Sequence, residues 1–225
     1  MLVSAVIELG GWRMVLRLLL ADDHDVVRAG LRAVIEANQG WQVVAEAEDG
    51  GKAVAQALET RPDIAVVDYF LPVLNGAEVT RQIKKRLPET EVLIFTLSDD
   101  EAVLQDVLAA GARGFVLKGE SNGTLVAAVM ALANHRPSFS GRLSERLVQA
   151  YLADGGSTTV DPLSPRERSV VQLIAEGHSN QEIADLLKLS VKTIEAHRST
   201  AMAKINATST ADVVRYAIKR KLSEL

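Results

Sequence analysis

The chain has 225 residues, 48% of them hydrophobic and 24% charged, with a formal net charge of −4. These values are typical of a globular protein that forms two ordinary domains or one large one. It contains no cysteine, which excludes a disulfide framework and a cysteine-ligated metal site and suits the cytoplasm.

Residues 1–15 precede the first predicted strand and are apolar, but Glu8 interrupts them and no basic run comes before them. They predict neither a signal peptide nor a membrane span. Because Met14 directly precedes the strand, we expect residues 1–13 to be a loose, non-essential extension or the product of an upstream start codon.

Residues 16–136 alternate short apolar runs with longer amphipathic segments. Strands are predicted at 16–21, 42–46, 64–68, 92–96 and 114–118, and helices at 25–38, 50–59, 75–87, 99–110 and 121–135. Five such pairs predict a doubly wound, five-stranded parallel sheet with helices on both faces, a flavodoxin-like α/β fold. Right-handed crossovers place the carboxyl ends of all five strands at one edge, where open α/β sheets bind ligands.

Reactive side chains stand at four of these strand ends: Asp22 and Asp23, Asp68, Thr96 and Lys118. An isolated aspartate pair before a helix more often caps that helix. The repetition of the pattern at successive strands favours a site instead. Clustered carboxylates repel one another unless a cation is present, and Mg²⁺ prefers oxygen ligands. Asp68 could then act as a nucleophile towards a phosphoryl donor.

Residues 137–162 break the alternation with Pro137, Gly141 and small residues at 154–159. They predict a linker with a short helix near 143–152. Residues 163–225 predict an all-α domain of four helices at about 165–176, 180–187, 191–205 and 209–221. Residues 161–225 carry ten Lys or Arg and eight Asp or Glu, against 15 and 21 in the rest of the chain. This mildly basic end permits nucleic-acid binding.

Residues 179–206 predict a helix-turn-helix whose second helix is capped by Ser190. One face of that helix is apolar and the other carries small or polar residues, namely Lys192, Glu195, Ala196, Ser199 and Ala203. Such a face can enter a major groove of DNA. Periodicity alone leaves a plain helical bundle with a solvated face equally open.

Two groups of motifs resemble known families. Residues 16–136 resemble the receiver domain of two-component response regulators, through Ala21-Asp22-Asp23-His24, Val67-Asp68-Tyr69-Phe70-Leu71-Pro72, Phe95-Thr96 and Phe115-Val116-Leu117-Lys118. Residues 163 to about 221 resemble the LuxR-type DNA-binding domain, through Leu163-Ser164-Pro165-Arg166-Glu167, Ile174-Ala175-Glu176-Gly177, Ser179-Asn180-Gln181-Glu182-Ile183-Ala184 and Ser190-Val191-Lys192-Thr193-Ile194-Glu195-Ala196-His197. The chain is therefore similar to response regulators of the NarL/FixJ class.

The resemblance implies a role for each matching residue. Asp68 would accept a phosphoryl group from a sensor histidine kinase, and Lys118 would pair with the phosphate. Mg²⁺ would be held by Asp22, Asp23, Asp68 and the Phe70 carbonyl. Thr96 and Phe115 would be the switch pair. Phosphates of double-stranded DNA would be contacted by Lys192, Thr193, His197 and Arg198, and bases by Glu195, Ala196 and Ser199.

The resemblance also implies RNA polymerase as a partner and a homodimer, joined by the last helix around Val213 to Ala217. We expect no membrane association, and no enzymatic activity beyond the receiver's own phosphorylation and dephosphorylation. Two alternatives stay open: a constitutive DNA-binding protein with a silent receiver, and a magnesium-dependent phosphatase, for whose substrate cap the receiver leaves no room. We further hypothesise that Phe70 and Leu97, both bulky, shield the acyl phosphate from water.

Overall fold

The computed structural model describes residues 15–139, 162–220 and 222. The strands are β1 Leu16–Ala21, β2 Trp41–Ala47, β3 Ile64–Val67, β4 Glu91–Thr96, β5 Gly114–Leu117 and β6 Ser138–Phe139. The helices around the sheet are α1 Asp25–Glu36, α2 Gly50–Thr60, α3 Gly76–Arg86, α4 Glu101–Ala109 and α5 Asn122–Ala133. Four more helices follow: α6 Pro165–Ala175, α7 Asn180–Leu187, α8 Val191–Lys204 and α9 Thr210–Lys219.

The strands form one parallel sheet in the order β2-β1-β3-β4-β5-β6. Its middle strands β3 and β4 are buried along their whole length, as expected for a sheet covered by helices on both faces. Successive residues of β1 point into opposite layers: Leu18 and Leu20 join one core cluster, and Leu19 and Ala21 the other. The predicted doubly wound parallel sheet is confirmed.

The sheet has a sixth strand that the sequence did not predict. Ser138 and Phe139 form β6, which pairs in parallel with Gly114 and Phe115 of β5. The sheet therefore extends past residue 136, into the segment predicted to be a linker. A strand of two residues directly after Pro137 is too short to show an alternating pattern, so composition alone indicated a loop.

The second unit consists of helices alone, as predicted, with ends within two residues of the expected ones. Serine caps define its helix starts. Ser164 and Glu167 form a reciprocal capping box at α6, and Ser190 accepts a hydrogen bond from the Thr193 amide at α8. The short helix predicted near 143–152 and the extension at 1–13 lie outside the described residues. Within the described ranges, no helix is long and apolar enough to cross a membrane.

The loop between β3 and α3 brings two backbone segments into close contact at glycines. A Cβ atom on Gly76 would lie 2.5 Å from the Asp68 carbonyl oxygen, and one on Gly50 would lie 2.0 Å from the Leu74 carbonyl oxygen. Both distances are shorter than any normal contact. Glycine at these positions therefore lets the loop fold back directly beneath Asp68.

We expect Gly76→Ala to lower the free energy of unfolding by about 1–3 kcal/mol, because the added methyl group forces the backbone away from Asp68. Gly30, within α1, has no neighbouring atom within 4 Å of an added Cβ. The control Gly30→Ala should instead raise stability by about 0.5–1 kcal/mol through higher helix propensity. Urea unfolding followed by circular dichroism measures both. Equal effects of the two substitutions would contradict the close approach at Gly76.

Candidate functional site

The carboxyl ends of the central strands are joined by backbone hydrogen bonds that fix the positions of the reactive residues. The Asp68 amide donates to the Ala21 carbonyl at 2.8 Å, and the Lys118 amide donates to the Thr96 carbonyl at 2.8 Å. The sheet register, rather than any flexible loop, therefore places Asp68 beside Asp22 and Lys118 beside Thr96.

Lys118 is the centre of this site. Its Nζ lies 2.7 Å from an oxygen of Asp22 and 2.7 Å from an oxygen of Asp68. Both carboxylates are buried. One ammonium thus faces two carboxylates in a largely water-free environment, which leaves an excess of negative charge.

The pKa values of Asp68 and Lys118 reflect both their burial and the charges around them. Burial raises the pKa of the Asp68 carboxyl above its ordinary value, and Lys118 offsets only part of that effect. Burial alone would lower the pKa of the Lys118 ammonium, but Asp68 and Asp22 outweigh it and raise that pKa. The site is therefore suited to a further positive charge.

Two buried carboxylate oxygens at the site could accept further hydrogen bonds or bind a cation. Among the described residues, Oδ1 of Asp68 and Oδ2 of Asp22 accept no hydrogen bond of normal geometry, although the latter lies close to Lys118. Buried polar atoms are rarely left in this state. Oxygen ligands on adjacent acidic residues match the preference of Mg²⁺, so the residues present fit a magnesium ion.

His24 directly follows Asp22 and Asp23 in the chain and borders the acidic site. It precedes α1, its amide donates to Asp22 at 3.0 Å, and its ring Nδ1 lies 2.7 Å from Asp23. Ligand atoms of His24, Asp22 and Asp23 lie within 4.8 Å of one another. The carboxylate of Asp23 is thus in contact with the neighbouring imidazole ring.

The two residues of the expected switch pair are both inside the protein. Thr96 is fully buried, and its hydroxyl oxygen accepts a long hydrogen bond, 3.4 Å, from the Ser98 amide. Phe115 is also fully buried and packs in the cluster that contains Val103 and Leu104 of α4. The aromatic ring of Phe115 is therefore part of the core and not of the surface.

The two bulky residues near Asp68 are placed very differently. Phe70 is partly buried and its ring meets Tyr69 edge-on at 5.0 Å. Leu97 has 72% of its surface exposed. An exposed side chain does not exclude water from a buried carboxylate, so this arrangement counts against the shielding hypothesis for Leu97 and leaves Phe70 as its candidate.

The helix α8 presents a continuous outer surface. Its apolar residues Ile194 and Ala201 are fully buried. Five residues are exposed on the opposite side, namely Lys192, Glu195, Ala196, Ser199 and Ala203. Of the remaining candidates, Thr193 bonds to Ser190, and His197 is partly exposed. A helix with this division can lie in a groove without disturbing the core of its domain.

Arg198, expected to contact DNA, and α9, expected to join two copies, both make contacts within the second unit. The Arg198 guanidinium donates to Asn180 at 3.1 Å and to Thr210 at 2.9 Å, which links three helices. In α9, Val213 and Ala217 are fully buried in their own domain, so they are not a free face for a second copy. Any such face of α9 has to use residues such as Ile218, which is 48% exposed.

The sequence reasoning missed a polar stripe on α6. Arg168, Gln172 and Glu176 are spaced four residues apart, so they share one side of the helix and its end. All three bond to residues of the sheet domain. A spacing of four between these polar residues was the available signal, but it is equally typical of a solvated face.

Comparison with family models gives two matches. Residues 18–130 match the response regulator receiver domain, and residues 161–217 match the bacterial regulatory proteins of the luxR family. The oxygen regulatory protein NreC of Staphylococcus epidermidis is 37% identical over 217 residues, which cover 93% of this chain and 100% of the relative.

Solved structures of response regulators are similar to this chain over both of its units. The RcsB response regulator of Salmonella typhimurium superposes with a TM-score of 0.65 at 27% identity, covering 92% of this chain and 98% of RcsB. A structure of two RcsB dimers bound to two parallel DNAs gives a TM-score of 0.55 at 28% identity, covering 90% of this chain and 98% of that one.

We expect Asp68→Asn to raise the melting temperature at pH 7 in buffer free of divalent cations. Because the Asp68 pKa is raised in the fold, the native carboxyl binds a proton more tightly than the unfolded one. Its contribution to stability therefore falls as pH rises from the ordinary value of 3.8 through the raised value. The substitution removes this loss, and its benefit should shrink below pH 4.

Scanning calorimetry across this pH range measures the effect. Asp185→Asn, at an exposed carboxylate on α7, is the matched control and should leave the melting temperature nearly unchanged. A gain for Asp68→Asn that is independent of pH would contradict the electrostatic explanation.

Proposed function

Since the chain belongs to the response regulators that join a receiver domain to a LuxR-type DNA-binding domain, we propose that Asp68 is the residue through which it is switched. The protein is a DNA-binding transcription regulator of a two-component system. The observation that carries the proposal is the burial of Asp68 beside Asp22 and one shared ammonium, Lys118. We propose three segments: a receiver domain at 16–136, which β6 extends, a linker at 137–162, and a DNA-binding domain at 163–225.

The proposed magnesium ligands are Asp22, Asp23, Asp68 and the backbone carbonyl of Phe70. When bound, Mg²⁺ would neutralise carboxylate charge and hold phosphoryl oxygens in place. The buried Oδ1 of Asp68, which has no hydrogen-bond partner among the described residues, supports this assignment. Phe70 follows Asp68 by two residues, at the start of the loop that runs beneath the site.

We propose that an Asp68 carboxylate oxygen attacks the phosphorus atom of a phosphohistidine on a sensor kinase. The phosphorus–nitrogen bond breaks, its electron pair returns to the imidazole, and Asp68 becomes an acyl phosphate. The Lys118 ammonium exchanges its contact with Asp68 for one with the new phosphate. Thr96 turns its hydroxyl towards the same phosphate, and Phe115, in the same core cluster as Val103 and Leu104 of α4, passes that movement to the outer face of the receiver.

In the second domain, α8 is the proposed reading helix. Lys192, Thr193, His197 and Arg198 are proposed to contact DNA phosphates, and Glu195, Ala196 and Ser199 to face bases. Exposure of Lys192, Glu195, Ala196 and Ser199 supports these roles. Because Arg198 is held by Asn180 and Thr210, any phosphate contact it makes should be rigid rather than adaptable.

The remaining proposals concern partners. RcsB dimers bind DNA, and we propose that this chain likewise acts on DNA as a homodimer whose formation is favoured by phosphorylation. A sensor histidine kinase and RNA polymerase are the other proposed partners, and the cytoplasm is the proposed location. We propose no enzymatic activity beyond phosphorylation and dephosphorylation of the receiver itself.

Treatment with phosphoramidate and Mg²⁺ tests the function directly. The wild-type protein should gain one phosphoryl group, measured by intact mass spectrometry, and should bind operator DNA more tightly. Asp68→Ala should gain none, because the nucleophile is removed. An exposed receiver carboxylate changed in Asp25→Ala serves as the control. A wild-type protein that binds DNA equally well without phosphorylation would support a silent receiver instead.

Lys192→Ala should weaken binding to all DNA sequences alike and reduce the slope of log K against log salt by about one, since one phosphate contact is lost. Glu195→Ala should instead change which base is preferred. Lys85→Ala, at an exposed lysine of the receiver, is the control and should change neither. Fluorescence anisotropy over a range of salt concentrations measures these effects. An unchanged slope for Lys192→Ala would exclude its phosphate contact.

A further inference from the structure

The first helix of the DNA-binding domain is packed against the receiver through a buried polar stripe. Arg168 pairs with Asp106 of α4, and Gln172 and Glu176 bond to the loop that follows β3. Asp106 also accepts a hydrogen bond from the hydroxyl of Tyr69, the residue directly after Asp68. The stripe therefore touches the receiver at the loop that follows Asp68 and at an α4 residue that bonds to Tyr69.

Gln172 makes two hydrogen bonds to this loop and one, at 2.8 Å, to Glu176 of its own domain. It is 2% exposed, and its Nε2 donates to the Leu71 carbonyl at 2.9 Å while its Oε1 accepts from the Asn75 amide at 3.2 Å. One side chain thus bridges the two ends of the 71–75 loop. Glu176 accepts a longer hydrogen bond, 3.4 Å, from the Val73 amide between them.

This loop begins at the residue after Phe70, whose carbonyl is the proposed backbone ligand of Mg²⁺. Its middle residue, Val73, has a φ of +71°, a conformation that β-branched residues rarely adopt. A loop in such a conformation keeps its shape only where its surroundings hold it. The described surroundings include Gln172 and Glu176, both from the other domain.

We propose that Gln172 is a positioning residue for the phosphorylation of Asp68: by clamping the 71–75 loop from the DNA-binding domain, it keeps the Phe70 carbonyl in place for Mg²⁺. The inference rests on the proposed function of Asp68. Binding of a metal ion to a loop that is already ordered costs the protein less conformational entropy than binding to a loop that must first become ordered. Docking of the DNA-binding domain and Mg²⁺ binding therefore favour each other, and by linkage the effect is reciprocal.

A cavity between the domains agrees with this coupling. Its volume is about 290 Å³, and it is lined by Asp23, His24 and Phe70 on the receiver side and by Gln172, Glu176 and Leu222 on the other. The DNA-binding domain thus forms one wall of the space that opens next to the acidic site.

The test uses full-length protein and the near-isosteric change Gln172→Leu, which removes both hydrogen bonds to the loop together with the one to Glu176. Hydrogen exchange without metal should show loss of protection at the Asn75 amide. Titration calorimetry should show Mg²⁺ affinity lowered about three- to tenfold, as expected for one or two lost hydrogen bonds. With acetyl phosphate, the Mg²⁺ concentration for half-maximal phosphorylation should rise by the same factor, while the rate at saturating Mg²⁺ stays unchanged.

Gln181→Leu, at an exposed glutamine of the same domain, is the matched control and should change none of these values. Arg168→Met weakens docking from its other anchor without touching the loop, and it should also lower Mg²⁺ affinity. It replaces Gln172→Leu if that variant fails to fold. Unchanged or increased Mg²⁺ affinity in a folded clamp variant would overturn the proposal.

The outcome is separable from that of the proposed function. If the wild-type protein takes no phosphoryl group, the role of Asp68 is wrong, yet hydrogen exchange and Mg²⁺ titration still report on the clamp. If the wild type is phosphorylated and Gln172→Leu matches it in every measurement, the clamp is wrong and the role of Asp68 stands.

Discussion

The contact of one ammonium with two buried carboxylates governs the receiver half of this protein. Lys118 lies 2.7 Å from both Asp22 and Asp68, at the ends of three different strands. The arrangement is not electrically balanced, since two buried carboxylates share one ammonium. Burial also raises the pKa of the Asp68 carboxyl despite the lysine. That imbalance is what makes the site receptive to a cation, and it exists because the parallel sheet brings strand ends together that are far apart in the chain.

Much of this was accessible from the sequence because it depends on local patterns repeated many times. Five apolar runs followed by amphipathic helices define the sheet, and a reactive residue at the end of a run is carried to the shared edge whatever the details of packing. The capping box at Ser164 and Glu167 likewise fixed the start of α6. Periodicity and caps are properties of short segments, so a single sequence reveals them.

Features that depend on contacts between distant segments were not predictable. The strand β6 is too short to have a pattern and exists only because β5 offers it an edge. The polar stripe of α6 looks solvated until the receiver is placed against it. The exposure of Leu97 is decided by the path of the chain after β4, and the burial of Val213 and Ala217 by the packing of α9 within its own domain. Each depends on which surface lies opposite, and a linear pattern does not contain that information.

The strand β6 has a consequence for how motion travels through the chain. Phe139 pairs in register with Phe115, so the last described residue before the connection to the second domain is attached to the backbone of the proposed switch residue. Any sideways displacement of β5 also displaces the anchoring point of that connection. The same pairing covers Gly114 and Phe115 on the outer edge of β5, so β6 rather than this part of β5 forms that end of the sheet.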